Sequence, residues 1–416
     1  MNTSGKRQRM NVNEPNEFRI LRVVRDYSTI SRVELAQILG LSKTTVSWLV
    51  GRLLRHGYLK NVGAGSSTVK GGRKRQLLRF NPSARYVIGV DIKLRSTQMA
   101  ITDLNAAMEQ RTSIEYPIGS SPDVVLGGIT RGLRQWRTMK PEYFSKAVGI
   151  GIGMPGVIDE EKGVVRVADA LKSWREVNLK RFFEDEFGLP TFAENDVKAM
   201  TVGEFLFGAS RYIPNQVCLF VGDGVGAGIV VEGRLMRGVT SSAGEIGFNE
   251  LGHTLKSSGD FPLLISDQED LGGVVSDHRF IEVYQRHGGQ RKISDAAEIV
   301  DAATAGEAIA MKIVDEAASL ISMVSIQLIN LLNPETIVLA GKLAGSPKVA
   351  ALVQDRVRFD VLSAPAEAVQ IVPAKLGSDG VLLGAVGLVL YDLFKPSRTQ
   401  QNRRQPIQAS LLIDDN

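Results

Sequence analysis

Cysteine is almost absent from this 416-residue chain, in which Cys218 stands alone. One thiol excludes an intrachain disulfide and any zinc site built from several cysteines. No run of about 18 or more apolar residues occurs, so no segment has the length and apolarity of a membrane span. The N-terminus is polar and basic and lacks the apolar stretch of a secretory leader; a cytoplasmic protein is expected. Acidic residues are scarce at one end only. Residues 1–82 hold 4 Asp/Glu against 16 Lys/Arg, a net of +12, whereas the other 334 hold 41 against 34, a net of −7. A small basic module joined to a large acidic one is the electrostatic footprint of a nucleic-acid binder with a control domain. At roughly 100–200 residues per domain, the length accommodates two or three.

The basic end contains a helix pair. Ser31 followed by Glu34 is a capping box, and Val33, Leu35, Ala36, Ile38 and Leu39 supply the apolar side of a first helix. Gly40 can take the left-handed conformation that closes it, and Ser42 can cap a second helix. There Val46, Leu49, Val50 and Leu53 follow the i, i+3, i+4, i+7 pattern of one buried face. Lys43, Thr44, Thr45, Ser47, Trp48 and Arg52 fall outside that stripe, as short polar, basic or aromatic groups suited to a major groove. An ordinary helical hairpin with a solvated face has the same pattern, and the flanks decide between them. Phe18, Ile20, Leu21, Val23 and Val24 predict a supporting helix before the pair. After it, Gly63–Thr68, the basic run Lys70-Gly71-Gly72-Arg73-Lys74-Arg75 and the strand Gln76–Phe80 form a wing. Lys43, Thr44, Ser47 and Trp48 are the candidates for base edges. Arg52, Lys70, Arg73, Lys74 and Arg75 are candidates for phosphate or a narrow minor groove, with Gly72 letting backbone approach DNA.

Beyond Asn81-Pro82 the pattern changes to strands alternating with helices, which predicts a layered, mostly parallel α/β domain. Strands are expected at 86–92, 96–102, 147–153, 216–221, 229–231, 234–236 and 336–340. Helices are expected at 122–139, 179–187, 196–207, 317–332 and 377–393. A domain over 1–82, a second over 83–395 and a polar tail over 396–416 follow from these breaks.

Several landmarks, in order, resemble the ROK family of repressors and sugar kinases: the Gly71-Gly72-Arg73 wing, Gly89-Val90-Asp91, Glu194-Asn195-Asp196, Ala243-Gly244-Glu245-Ile246-Gly247 and Asn330–Glu335. The likeness is strongest to its transcriptional regulators of the xylose and N-acetylglucosamine repressor type. It implies an N-terminal winged helix-turn-helix followed by a two-lobed, actin-like (hexokinase-type) ATPase-fold domain. It also implies sugar contacts at Asn195, Asp196 and Glu245, with Pro155 and Gly156 beside them. Asn195 and Asp196 would equally cap the helix that follows them.

The chain departs from the family pattern where nucleotide and zinc would bind. The first phosphate loop of the family reads Asp-x-Gly-Gly-Thr, and here stands Asp91-Ile92-Lys93-Leu94-Arg95. The second carries Gly-Thr-Gly, and here stands Gly222-Asp223-Gly224, a carboxylate at a phosphate position. Like charges ~4 Å apart repel by about 4 kcal/mol at an effective dielectric of 20. The zinc-site histidine is replaced by Phe248, the stretch around Asp260–Leu271 holds no cysteine, and His253 alone cannot complete a site. The expectation is therefore a regulator without enzymatic activity, cofactor or metal. Its partners would be a double-stranded operator, a sugar or sugar derivative, and a second copy of itself in a homodimer or higher oligomer. A sugar kinase carrying a DNA-binding domain, and a ligand-independent DNA-binding dimer, are the alternatives.

Overall fold

The computed structural model describes residues 15–64, 76–249, 261, 263–265, 270–361 and 363–393. It divides into two compact units: the chain up to Tyr86 with Asp103–Asn105 and the chain from Leu390, and Val87–Thr102 with Ala106–Val389.

The first unit runs α1 (Pro15–Asp26), β1 (Ile30–Ser31), α2 (Arg32–Leu39), α3 (Lys43–Arg55), β2 (Leu59–Ala64) and β3 (Gln76–Phe80). Ser31 and Glu34 form the reciprocal cap: Ser31 Oγ accepts from the Glu34 N–H, and the Glu34 carboxylate accepts from the Ser31 N–H at 2.8 Å. Gly40, at φ 64°, ends α2 in the left-handed region, where a side chain would be strained. Ser42 Oγ then accepts from the Thr45 N–H and starts α3. Ile20, Leu21 and Val24 of α1, Leu35 and Leu39 of α2, and Val46, Leu49, Val50 and Leu53 of α3 are all buried. Ile38 differs from expectation, being 47% exposed. It lies roughly 100° round the helix from the centre of the Leu35–Ala36–Leu39 stripe at 100° per residue. A three-stranded antiparallel sheet, order β1-β3-β2, closes the unit. Just beyond β3, Asn81 ties the end of the sheet to the turn that follows α3. Its side-chain amide donates to the Gly57 carbonyl at 2.7 Å and its N–H to the Tyr58 carbonyl at 2.9 Å.

The second unit holds two five-stranded sheets. One has the order β10-β7-β4-β5-β6, from β4 (Tyr86–Ile92), β5 (Ser96–Asp103), β6 (Met108–Glu115), β7 (Ala147–Met154) and β10 (Thr191–Asn195). The other has the order β13-β12-β11-β14-β15, from β11 (Gln216–Val221), β12 (Val225–Val231), β13 (Arg234–Met236), β14 (Thr336–Ala340) and β15 (Gln370–Pro373). A short hairpin, β8 (Val157–Asp159) with β9 (Val164–Val167), leaves the first sheet after β7. The helices include α4 (Pro122–Met139), α5 (Pro141–Ser145), α6 (Leu179–Phe187) and α7 (Asp196–Phe207). The helix Ala308–Leu332 has 25 residues and starts nine earlier than its apolar pattern predicts. Its buried side chains pack with β11 and β14 in one large core. β4 is buried at every position, which is why it reads as a near-continuous apolar run.

β12 begins earlier than expected because its glycines look like a loop. Gly228 faces α7 so closely that a Cβ would collide with Thr201 Oγ1. These glycines let a helix lie against the strand.

Candidate functional site

In the first unit, α3 exposes Lys43, Thr44, Ser47 and Trp48 on the side away from its buried stripe. Trp48 is 52% exposed, unusual for a large apolar side chain on a charged surface. Thr45 is half-buried, and its hydroxyl shares a 2.8 Å hydrogen bond with Ser42 Oγ, which makes it part of the cap. Arg52 departs from its expected place. Its Nε pairs with Glu17 Oε1 at 3.1 Å, and its guanidinium lies over the Trp48 ring, 5.0 Å from the centroid. The group expected to meet phosphate is partly buried and engaged by Glu17 and Trp48. The wing residues Lys70, Gly72, Arg73, Lys74 and Arg75 lie outside the described residues; the strands that flank them pair with Ala64 opposite Gln76.

In the second unit, β7 and β10 run parallel with Met154 opposite Asn195, so their C-terminal ends bring Pro155, Gly156, Asn195 and Asp196 together. Ligands gather at the carboxyl ends of parallel strands because loops and helix starts converge there. Gly156 takes φ 114°, and its carbonyl accepts from Asn195 Nδ2 at 3.1 Å. Asn195 Oδ1 accepts from the Lys198 N–H at 3.1 Å, so this side chain caps α7 and holds the β7 turn at once. Burial pushes the Asp196 carboxyl up to about 6, with Glu245 adding to the rise.

Five residues around this point were not foreseen. Lys198 is almost wholly buried; its Nζ donates to the Ser241 carbonyl at 2.8 Å and pairs with Glu245 Oε1 at 3.6 Å. Arg237 Nε binds Glu194 Oε2 at 2.7 Å and stands 3.5 Å from Glu160, whose carboxylate accepts from Ser241 Oγ. Burial raises Glu194 above the ordinary carboxylate range despite Arg237. Together these bonds hold the segment 237–245 and aim Glu245. The sequence signal was Lys198, two residues past Glu194-Asn195-Asp196, where a charge in an otherwise apolar helix face calls for a partner.

At the first phosphate-loop position Lys93 folds back, its Nζ 3.2 Å from Asp91 Oδ2. Asp91 is buried and is pushed up to about 6 by that burial, which Lys93 opposes. At the second, Gly222–Gly224 is a tight turn in which the Gly222 N–H donates to the Gly224 carbonyl at 2.9 Å. Asp223 is exposed there, and Asp277, Asp295 and Lys342 are near enough to interact with one another electrostatically. Phe248 is 67% exposed; His253 and half of the stretch Asp260–Leu271 lie outside the described residues. No described helix is long and apolar enough to cross a membrane.

A helical module closed by a small sheet, followed in sequence by paired five-stranded sheets with polar residues at their strand ends, defines a winged helix-turn-helix protein with a sugar-kinase-type α/β domain. The winged helix-turn-helix DNA-binding family model matches residues 14–60, and the ROK family model matches residues 87–391. The chain belongs to the ROK family. It is 25% identical over 387 residues to the xylose repressor of Bacillus subtilis (strain 168), covering 91% of this chain and 96% of the relative. It is 28% identical over 327 residues to a glucokinase of Halalkalibacterium halodurans, covering 74% and 96%. Among solved structures, a ROK family transcriptional regulator described as a homolog of the E. coli MLC protein shares the fold at a TM-score of 0.75. That likeness covers 91% of this chain and 96% of the other at 20% identity.

Proposed function

We propose that this protein is a sugar-responsive DNA-binding transcriptional regulator, a repressor of carbohydrate uptake or catabolism genes, and that its kinase-like domain senses without catalysing. The observation that carries the reading is the open face of α3, where Lys43, Thr44, Ser47 and Trp48 are exposed above a wholly buried stripe in a basic module. The names of the repressor relatives support it. In this reading residues 1–82 bind DNA, 83–395 bind the effector and 396–416 are a tail. Lys43, Thr44, Ser47 and Trp48 read base edges, the wing residues Lys70, Arg73, Lys74 and Arg75 meet the backbone or minor groove, and Gly72 permits close approach. Pro155, Gly156, Asn195, Asp196 and Glu245 contact the sugar, and a homodimer in the cytoplasm reads a two-fold operator. The sugar changes DNA affinity by favouring one arrangement of the protein, a coupling typically worth roughly 1–3 kcal/mol.

The test is an operator selected from random duplex DNA, titrated with the protein while a panel of free sugars and sugar phosphates is added. Release by one sugar supports the reading; selection of no sequence overturns it. Thr44→Ala is expected to relax preference at one base pair at a cost of about 1–3 kcal/mol, whereas Lys74→Ala should weaken all sequences alike and lower the salt slope by about 1. Uniform loss from both would remove the assignment of roles.

Sensing without catalysis is supported by the two phosphate-loop positions, where Lys93 folds onto Asp91 and Asp223 puts an exposed carboxylate in the Gly222–Gly224 turn. Incubation with ATP, magnesium and the sugar panel is expected to yield no sugar-dependent ADP, and calorimetry no heat of ATP binding. Turnover with any sugar would reinstate the kinase reading.

A further inference from the structure

We infer that Trp48 reads the 5-methyl group of a thymine in the operator's major groove, and that buried Glu17 is the positioning residue that aims it, acting through Arg52. The inference rests on the DNA-reading assignment of α3.

Trp48 is half-exposed on the same face as Thr44 and Ser47. Arg52, one turn later on α3, covers one side of the indole with its guanidinium 5.0 Å from the ring centroid. Residues four apart on a helix are neighbours, and a cation over an aromatic face is attracted by the ring's negative face. Arg52 is itself held from behind. Its Nε lies 3.1 Å from Oε1 of Glu17, whose side chain is 2% exposed while that of Arg52 is 20% exposed. A buried carboxylate on α1 therefore fixes the guanidinium, and the guanidinium fixes the plane of the indole. Without Glu17 the long arginine would be free to leave the ring for solvent or phosphate.

The charge balance identifies what the indole meets. The charge of Arg52 is paired with Glu17 on one side and stacked on the indole on the other, so the exposed group at this corner of α3 is the flat apolar ring. Among the major-groove edges of the bases thymine alone carries a methyl group, which is read by apolar contact. An indole clamped from one side presents its free face and edge to such a group without losing further side-chain freedom on binding.

The experiment uses the full chain and its selected operator. Each thymine is replaced in turn by deoxyuridine, which deletes the methyl and leaves base pairing intact. The wild type is expected to lose about fourfold in affinity at one position per half-site, the worth of one methyl buried against apolar surface. Trp48→Ala should be indifferent to that replacement. Glu17→Gln, checked by circular dichroism for an unchanged fold, should lose most of the same discrimination while keeping sequence preference at the positions read by Thr44 and Ser47. Arg52→Lys keeps the pairing charge but not the planar stack, and is expected to behave as Glu17→Gln does. A Glu17 with only a structural role would weaken all positions equally, which would overturn its part. A protein that selects an operator yet ignores every thymine methyl overturns the inference and leaves DNA reading intact. A protein that selects no operator overturns both.

Discussion

Replacing Arg237 with methionine is expected to destabilise the kinase-like unit by about 3–5 kcal/mol, the range for a buried charge that loses its partner. Glu194 is 1% exposed, and its Oε2 takes the short 2.7 Å bond from Arg237. Methionine keeps the length of the stem but supplies no donor, and Glu160 then faces Glu194 with nothing between them. Burial already lifts the Glu194 carboxyl above its ordinary value. A group raised in this way binds its proton more tightly when folded, so it costs stability as pH increases past its unfolded value. Removal of Arg237 raises it further, and the defect should deepen from pH 5 to pH 8. Urea denaturation at the two pH values measures it. Glu194→Gln in the same background should recover most of the loss, because the amide keeps an acceptor for the Asn195 N–H now bound by Oε1. An equal loss at both pH values with no recovery would show that Arg237 acts through packing alone.

The second large effect has the opposite sign. Asp277→Asn should stabilise the protein at pH 8 by something on the order of 2–4 kcal/mol and change little at pH 4. Burial pushes Asp277 from 3.8 up to about 7, Asp223 and Asp295 add to the rise, and Lys342 opposes it. Its Oδ1 is buried and has no hydrogen-bond partner among the described residues. The folded chain therefore favours the neutral acid. The stability this contributes is complete below the unfolded value near 4 and is lost as pH climbs through about 7. Asparagine stays neutral throughout and can still accept the Leu343 N–H. Thermal melts at pH 4 and pH 8 should give two wild-type midpoints well apart and two closer ones for the variant. Equal destabilisation at both pH values would mean that the carboxylate, not the acid, is the folded form.

Much of the DNA-binding unit was legible in the sequence because its signals are local. The Ser31–Glu34 box, Gly40, Ser42 and the Val46–Leu53 stripe each act within one or two helical turns. The same holds for β11 and β14, whose bounds follow directly from apolar runs between turn residues. What escaped was set by distant neighbours. β6 is an edge strand in which only Met108 and Ile114 of eight residues are apolar, so no apolar alternation marks it. β12 hides behind glycines that exist because α7 lies against them. Arg52 reads as a surface cation in the sequence, and the carboxylate that pairs with it, Glu17, stands thirty-five residues earlier. The candidate sugar site was found by motif, yet the ion pairs that aim Glu245 join residues tens of positions apart.

Asn81 carries a consequence for anyone exchanging recognition modules between proteins of this kind. Its amide and its N–H hold the Gly57-Tyr58 turn that follows α3 from a position beyond the final strand. A chimera spliced at Phe80 would import the recognition helix but leave its fastening to a foreign residue. The donor segment should run through Pro82, because the module's structural punctuation falls after its last visible element.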